Sequence, residues 1–163
     1  MNEFHSLINN SKLTILGYTT KDEKIKDELI SSLNPIFIGD ENINSSSIVI
    51  DIREQKINSL LNDEFLSNII TFDIINIKSE DNVAPHFSIT KTVREIHEKL
   101  RDTNINIVVT APLYTSIDYE NGIKQVIRGG EGNTYIANLV IYIDDRTLNI
   151  IKSRETDKKQ IYV

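Results

Sequence analysis

Two kinds of residue in this chain are spaced for chemistry: carboxylates that close apolar runs, and basic side chains set among glycines and tyrosines. Ile69-Ile70-Thr71-Phe72-Asp73 is an apolar run ending in aspartate, the form of a strand whose carboxylate orders magnesium beside phosphates. Ile36-Phe37-Ile38-Gly39-Asp40-Glu41 closes in the same way. Glu41 reads either as a general base for an attacking water or as part of a polar turn after a strand. Further along, Lys124 and Arg128 stand close to Gly129 and Gly130, with Tyr114, Tyr119 and Tyr135 around them. Basic side chains neutralise backbone phosphates, glycines permit close approach, and tyrosines give bases a surface to stack on. Asp118, Glu120 and Glu131 cancel much of that charge, so a plain surface loop is the competing reading. Lys152-Ser153-Arg154 ends the last apolar run. It is either a basic pair that reaches a phosphate or a charged edge that discourages strand-to-strand aggregation.

Other chemistries find little support. A phosphate loop of the form Gly-x-x-x-x-Gly-Lys-[Ser/Thr] needs backbone amides to wrap the phosphates, a lysine to reach them and a hydroxyl to hold magnesium. Counting from Gly17 puts Asp22, Glu23 and Lys24 on its last three positions, and two carboxylates there repel a polyphosphate. Thr20-x-x-Glu23 reads instead as a capping box that starts a helix. The chain has no cysteine, which removes thiolate metal sites and cysteine nucleophiles, and His5, His86 and His97 lack metal-ligand spacing. Asp51, Asp73, Glu80 and Asp81 are the only acids to suggest a two-metal nuclease, and they are scattered.

The elements that must position these residues follow from hydrophobic period. Short β-branched runs at Lys12 to Gly17, Pro35 to Gly39, Ser47 to Ile52, Asn68 to Ile77, Asn104 to Thr110, Asn138 to Ile143 and Leu148 to Lys152 have the length of buried strands. Helical spacing recurs at Ile25, Leu29 and Leu33, at Ile57, Leu60, Leu61 and Phe65, and at Ile89, Val93, Ile96 and Leu100. Strands alternating with helices predict a mainly parallel sheet covered on both faces, with ligands at the carboxyl ends of the strands. The three residues Asp144-Asp145-Arg146 predict a final antiparallel hairpin. Leu113 to Thr134 shows neither period and reads as one long functional loop.

With 163 residues, 39% hydrophobic and 26% charged, the chain has room for one core, residues 1–163. A net charge of −6 argues against a surface that coats nucleic acid everywhere, leaving a local basic patch as the way to bind it. No apolar run reaches the length of a bilayer span and no secretory leader is evident, so no membrane partner and a cytoplasmic location are expected.

Arg128-Gly129-Gly130, then Tyr135-Ile136-Ala137-Asn138 and the strand after it, then the closing pair ending in Lys152-Ser153-Arg154, resemble the DNA-binding loop and closing hairpin of RecA-type recombinases and ring helicases. The resemblance runs from Lys12 to about Arg154 and is best from Asn104 onward. It implies a RecA-like three-layer α/β fold of the P-loop NTPase type, reduced to a bare core. It implies that Glu41 and Asp73 stand where that family keeps its water-orienting glutamate and its magnesium aspartate. It also implies that Lys124, Arg128, Gly129, Gly130 and Tyr135 face DNA, while Lys152 and Arg154 reach a neighbour's nucleotide in trans. Two departures stand out: the phosphate loop is degenerate, and Ala111-Pro112 replaces the polar residue that senses the γ-phosphate.

The implied function is a protein that supports DNA recombination or replication by binding single-stranded DNA, an active RecA-like paralogue or copies of itself, without hydrolysing ATP. Two alternatives differ in class. A divergent DNA-dependent ATPase would hold ATP and magnesium through an unrecognised loop around Gly17 to Lys24; an adaptor would keep the fold only as an interaction surface. Heavy use of isoleucine, asparagine and lysine suggests a phage-like genome, which would place the protein in a host cytoplasm.

Overall fold

The computed structural model describes residues 1–38, 49–50, 68–77, 85–128 and 131–163. Helix α1 (Asn2–Asn9) precedes β1 (Leu13–Tyr18), a 3-10 turn (Thr20–Asp22) and α2 (Glu23–Ser32). Strands β2 (Ile36–Ile38), β3 (Val49–Ile50) and β4 (Ile69–Asp73) follow, then helix α3 (Pro85–Leu100). The chain ends with β5 (Asn106–Asp118), β6 (Gly122–Ile127), α4 (Glu131–Ile136), β7 (Leu139–Asp144), β8 (Thr147–Ser153) and β9 (Gln160–Tyr162).

The strand order is β3-β2-β4-β5-β1-β7-β8-β9, with β6 paired to the outer half of β5. All pairs from β3 to β7 are parallel, and β8 and β9 add an antiparallel edge. The expected mainly parallel sheet with a closing hairpin is therefore present, and β9 and α1 are additions. Strand period places the two cores. Leu13 and Ile15 point to the face covered by α3, where Ile89, Val93, Ile96 and Leu100 bury their stripe. Leu16 and Tyr18 point to the other, against Phe4, Leu7 and Ile8 of α1 and Leu29 and Ile30 of α2. Each fully buried aliphatic side chain of this kind contributes roughly 1.5–3 kcal/mol, so the sheet is fixed from both sides. Among the described residues, no helix is long and apolar enough to cross a membrane.

Two expectations need correction. Leu113 to Thr134 is not one loop. Strand β5 continues to Asp118 and folds back through β6 in register Leu113↔Ile127 to Asp118↔Gly122, after which α4 forms. Gly122 takes φ 81, which the turn requires, and Asp118 accepts from Glu120 N at 2.9 Å and from Asn121 Nδ2 at 2.8 Å to close it. Nor does Thr20 cap α2 through a capping box. Thr20 opens the 3-10 turn and the helix starts after Asp22, with no side-chain cap on either element.

A basic groove beside a closed carboxylate cluster

Strand β1 lies between β5 and β7, where the chain's crossovers change direction, so its carboxyl end is the topological switch point at which α/β sheets hold ligands. There Asp73, at the end of β4, is 4% exposed. Its Oδ2 accepts from Tyr18 Oη at 2.7 Å and from Thr110 Oγ1 at 2.7 Å; its Oδ1 accepts from Ile75 N at 2.9 Å. Three of roughly four acceptor positions on the carboxylate are thus filled from within the chain. Burial, followed by the bond to Asp73, pushes the Tyr18 hydroxyl well above the usual tyrosine range, so it stays a donor. Lys26 covers this cluster from α2, with its ammonium 4.4 Å from the centre of the Tyr18 ring and 3.0 Å from the Asp27 carboxylate.

The turn after β1 is also occupied by its own side chains. Asp22 is 2% exposed and accepts from Thr19 Oγ1 at 2.6 Å and from Asp145 N at 3.0 Å, which ties this turn to the β7–β8 turn. Lys21 with Asp144 at 2.8 Å and Arg146 with Glu28 at 3.1 Å flank the tie at the surface. Gly17 is a packing glycine: a Cβ there would lie 2.8 Å from Leu113 Cδ2 and 2.9 Å from Tyr142 Cδ1. Among the described residues, no group of three or more His, Asp or Glu side chains is placed to hold a metal ion.

On the far side of the switch point, the β5–β6 hairpin, α4 and β8 enclose an open groove of about 1060 Å³. Lys124 on β6, Tyr135 on α4, and Lys152 and Arg154 at the end of β8 all line it, together with Tyr114 and Ser116. Register explains the hairpin's contribution: Ser116 pairs with Lys124 and Tyr114 with Val126, so these four share one face. Tyr135 is 83% exposed. Lys152 donates to Thr134 O at 3.0 Å and Tyr135 O at 2.8 Å, and burial, then the nearby Arg154, holds its ammonium below the usual lysine range. Arg128 is exposed at the base of the hairpin, with its amide bonded to Pro112 O at 2.9 Å, and does not line the groove. Glu41, Gly129 and Gly130 lie outside the described residues.

Four of the residues that the sequence marked for DNA or phosphate therefore converge, while Asp73 sits apart in its own network. Gln125, Val126 and Ile151 were not marked and also line the groove. Their signal was Asn121-Gly122, the dipeptide of a tight hairpin turn, which fixes which side of β6 faces inward. Asn138 is structural: its Oδ1 accepts from Leu13 N at 3.1 Å and its amide bonds Leu13 O at 2.9 Å, registering β7 on β1.

No protein-family model matches the chain, and no curated protein matches it. Among solved structures it is similar to the ATPase domain of a RecA-like replicative helicase, with a TM-score of 0.62 and 7% sequence identity over 92% of this chain and 80% of that one. At that identity the likeness speaks for the fold alone, and the fold is the RecA-like α/β architecture that the sequence resemblance implied.

Proposed function

We propose that this chain binds single-stranded DNA along the groove between the β5–β6 hairpin, α4 and β8, and supports recombination or replication without hydrolysing ATP by itself. The observation that carries the reading is the convergence of Lys124, Lys152 and Arg154 with Tyr114 and Tyr135 around one open groove, in a chain whose net charge is −6. Cations among aromatic faces suit a flexible strand that offers both phosphates and unstacked bases. The acidic remainder of the surface disfavours binding elsewhere. The absence of ATP turnover is supported by Asp22 and Asp73, whose carboxylates are buried and committed to Thr19, Asp145, Tyr18 and Thr110.

The test is fluorescence anisotropy of a labelled oligo(dT) over a range of salt, with a thermal shift in ATP and magnesium alongside. The wild type should bind the oligonucleotide with a salt-dependent affinity, and Lys124→Ala with Arg154→Ala should weaken it and flatten that dependence. ATP should leave the melting temperature unchanged. Affinity untouched by the double substitution rejects the groove; stabilisation by ATP that is lost on Lys24→Ala supports the divergent ATPase. Binding of neither ligand leaves the adaptor reading, for which the exposed Ile117, Tyr119 and Ile123 at the hairpin tip provide a surface.

A further inference from the structure

Lys152 and Arg154 stand two residues apart at the end of β8 and both line the groove, yet the structure uses them differently. Strand β8 pairs with β7 in register Val140↔Lys152 and then Ile141↔Ile150, so Ile151 is an extra residue, a β-bulge. Ile150 is buried against the α1–α2 core, and Ile151 faces the groove. In an unbroken strand the next residue would turn back toward that core. The bulge re-aims Lys152 so that Ile151, Lys152 and Arg154 all reach the groove.

What Lys152 meets there is the carboxyl end of α4. That helix has six residues, too few to hold itself together, and its last carbonyls have no partner within the helix. The Lys152 ammonium donates to two of them, Thr134 O and Tyr135 O, and its charge opposes the negative end of the helix dipole. Arg154 is exposed and no hydrogen bond or ion pair engages its guanidinium among the described residues. Gly132 adds a second constraint, because its missing side chain lets α4 approach Thr90 of α3, where a Cβ would lie 3.1 Å from Thr90 Cγ2.

We propose that Lys152 is a positioning residue that locks α4 and thereby aims the Tyr135 ring into the groove, leaving Arg154 to meet phosphate. This rests on the nucleic-acid reading of the groove for its consequence, but not for its geometry. The chain has no tryptophan, so Tyr135→Trp installs a single reporter at the groove. Three measurements go together on that background: reporter anisotropy without DNA, hydrogen exchange at the Ala137 amide, which bonds Asn133 O at 3.2 Å, and oligo(dT) affinity against salt.

Lys152→Met, which keeps the apolar stem, should lower reporter anisotropy and speed Ala137 exchange about tenfold, the loss expected for charged hydrogen bonds. It should weaken oligo(dT) binding with the slope of log affinity against log salt unchanged, whereas Arg154→Met should reduce that slope by about 0.7. Lys152→Arg, which can still donate to both carbonyls, should restore all three readouts. Should Lys152→Met fail to fold, Lys152→Gln carries the same expectations. Unchanged anisotropy and exchange, or a slope that falls with Lys152→Met as it does with Arg154→Met, overturns the proposal. Absence of oligonucleotide binding by the wild type rejects the groove's function instead, while anisotropy and exchange still decide the role of Lys152.

Discussion

Replacing Tyr18 by phenylalanine tests whether Asp73 is closed off by its own neighbours. The substitution keeps the ring, and so the packing in the α1–α2 core, but removes one of three donors to a carboxylate that is 4% exposed. A hydrogen bond to a buried charged group contributes about 1.5–3 kcal/mol. Taking about 2 kcal/mol, and a urea dependence near ~2 kcal/mol per molar, the unfolding midpoint at pH 7 should fall by about 1 M. The pH dependence supplies a second reading. Burial and then Asp73 raise the Tyr18 hydroxyl in the folded state, whereas in the unfolded chain it ionises near pH ~10. Above that pH the unfolded state binds fewer protons than the folded one, so this residue's contribution is present below pH ~10 and is lost as pH rises toward the folded value. The gap between wild type and Tyr18→Phe should therefore be constant from pH 7 to 9 and shrink above pH ~10. An unchanged midpoint at pH 7, or a gap that stays constant through pH ~11, refutes the closed network. So does magnesium that stabilises the wild type and fails to stabilise Asp73→Asn, because Asp73 would then be open to a cation.

Asp22→Ala leaves the Asp145 amide without its acceptor inside the tie between two turns and should cost about 2–3 kcal/mol in urea unfolding, while Lys21→Ala, at an exposed pair, should scarcely register. Gly17→Ala forces Leu113 and the Tyr142 ring to give way; an overpacking cost of about 1–2 kcal/mol should lower the melting temperature by roughly 2–8 °C, and no change would mean the strand end is looser than its contacts imply. Ile117 and Ile123 form a cross-strand pair at 72% and 75% exposure, so Ile117→Ser with Ile123→Ser should change unfolding little and reduce self-association measured by light scattering at high concentration.

The parts of the fold that depend on local pattern were readable in the residues. Apolar runs marked β1, β4, β7 and β8, and the short Asp144-Asp145-Arg146 link marked the antiparallel closure. Asp73 was marked as a strand end, but its partners were not, because Tyr18 and Thr110 come from strands 55 and 37 residues away. The β5–β6 hairpin was hidden by Pro112, which looks like a strand stop. In the structure it marks a change of partner: β1 ends opposite it at Tyr18, and pairing with β6 starts at Leu113. Beyond it, Tyr114, Ser116 and Asp118 alternate with Thr115 and Ile117, a period too polar to suggest a strand beside a core. Helix α1 was legible in Phe4, Leu7 and Ile8, spaced for one helical face, and was overlooked. The capping of α4 by Lys152 was not legible at all, since it depends on a bulge that only pairing with β7 creates.

The continuous run of β5 has a mechanical consequence. One strand is both the middle of the parallel sheet, from Asn106 to Pro112, and the inner arm of the hairpin out to Asp118. Its free portion of six residues projects about 20 Å at the usual rise of a strand. Between the tip at Tyr119 and Thr110, which touches Asp73, there is no turn, glycine or break in the backbone. A load applied at the tip therefore travels along a single stiff beam into the carboxylate cluster, so the hairpin's outer end and the switch point behave as two ends of one lever.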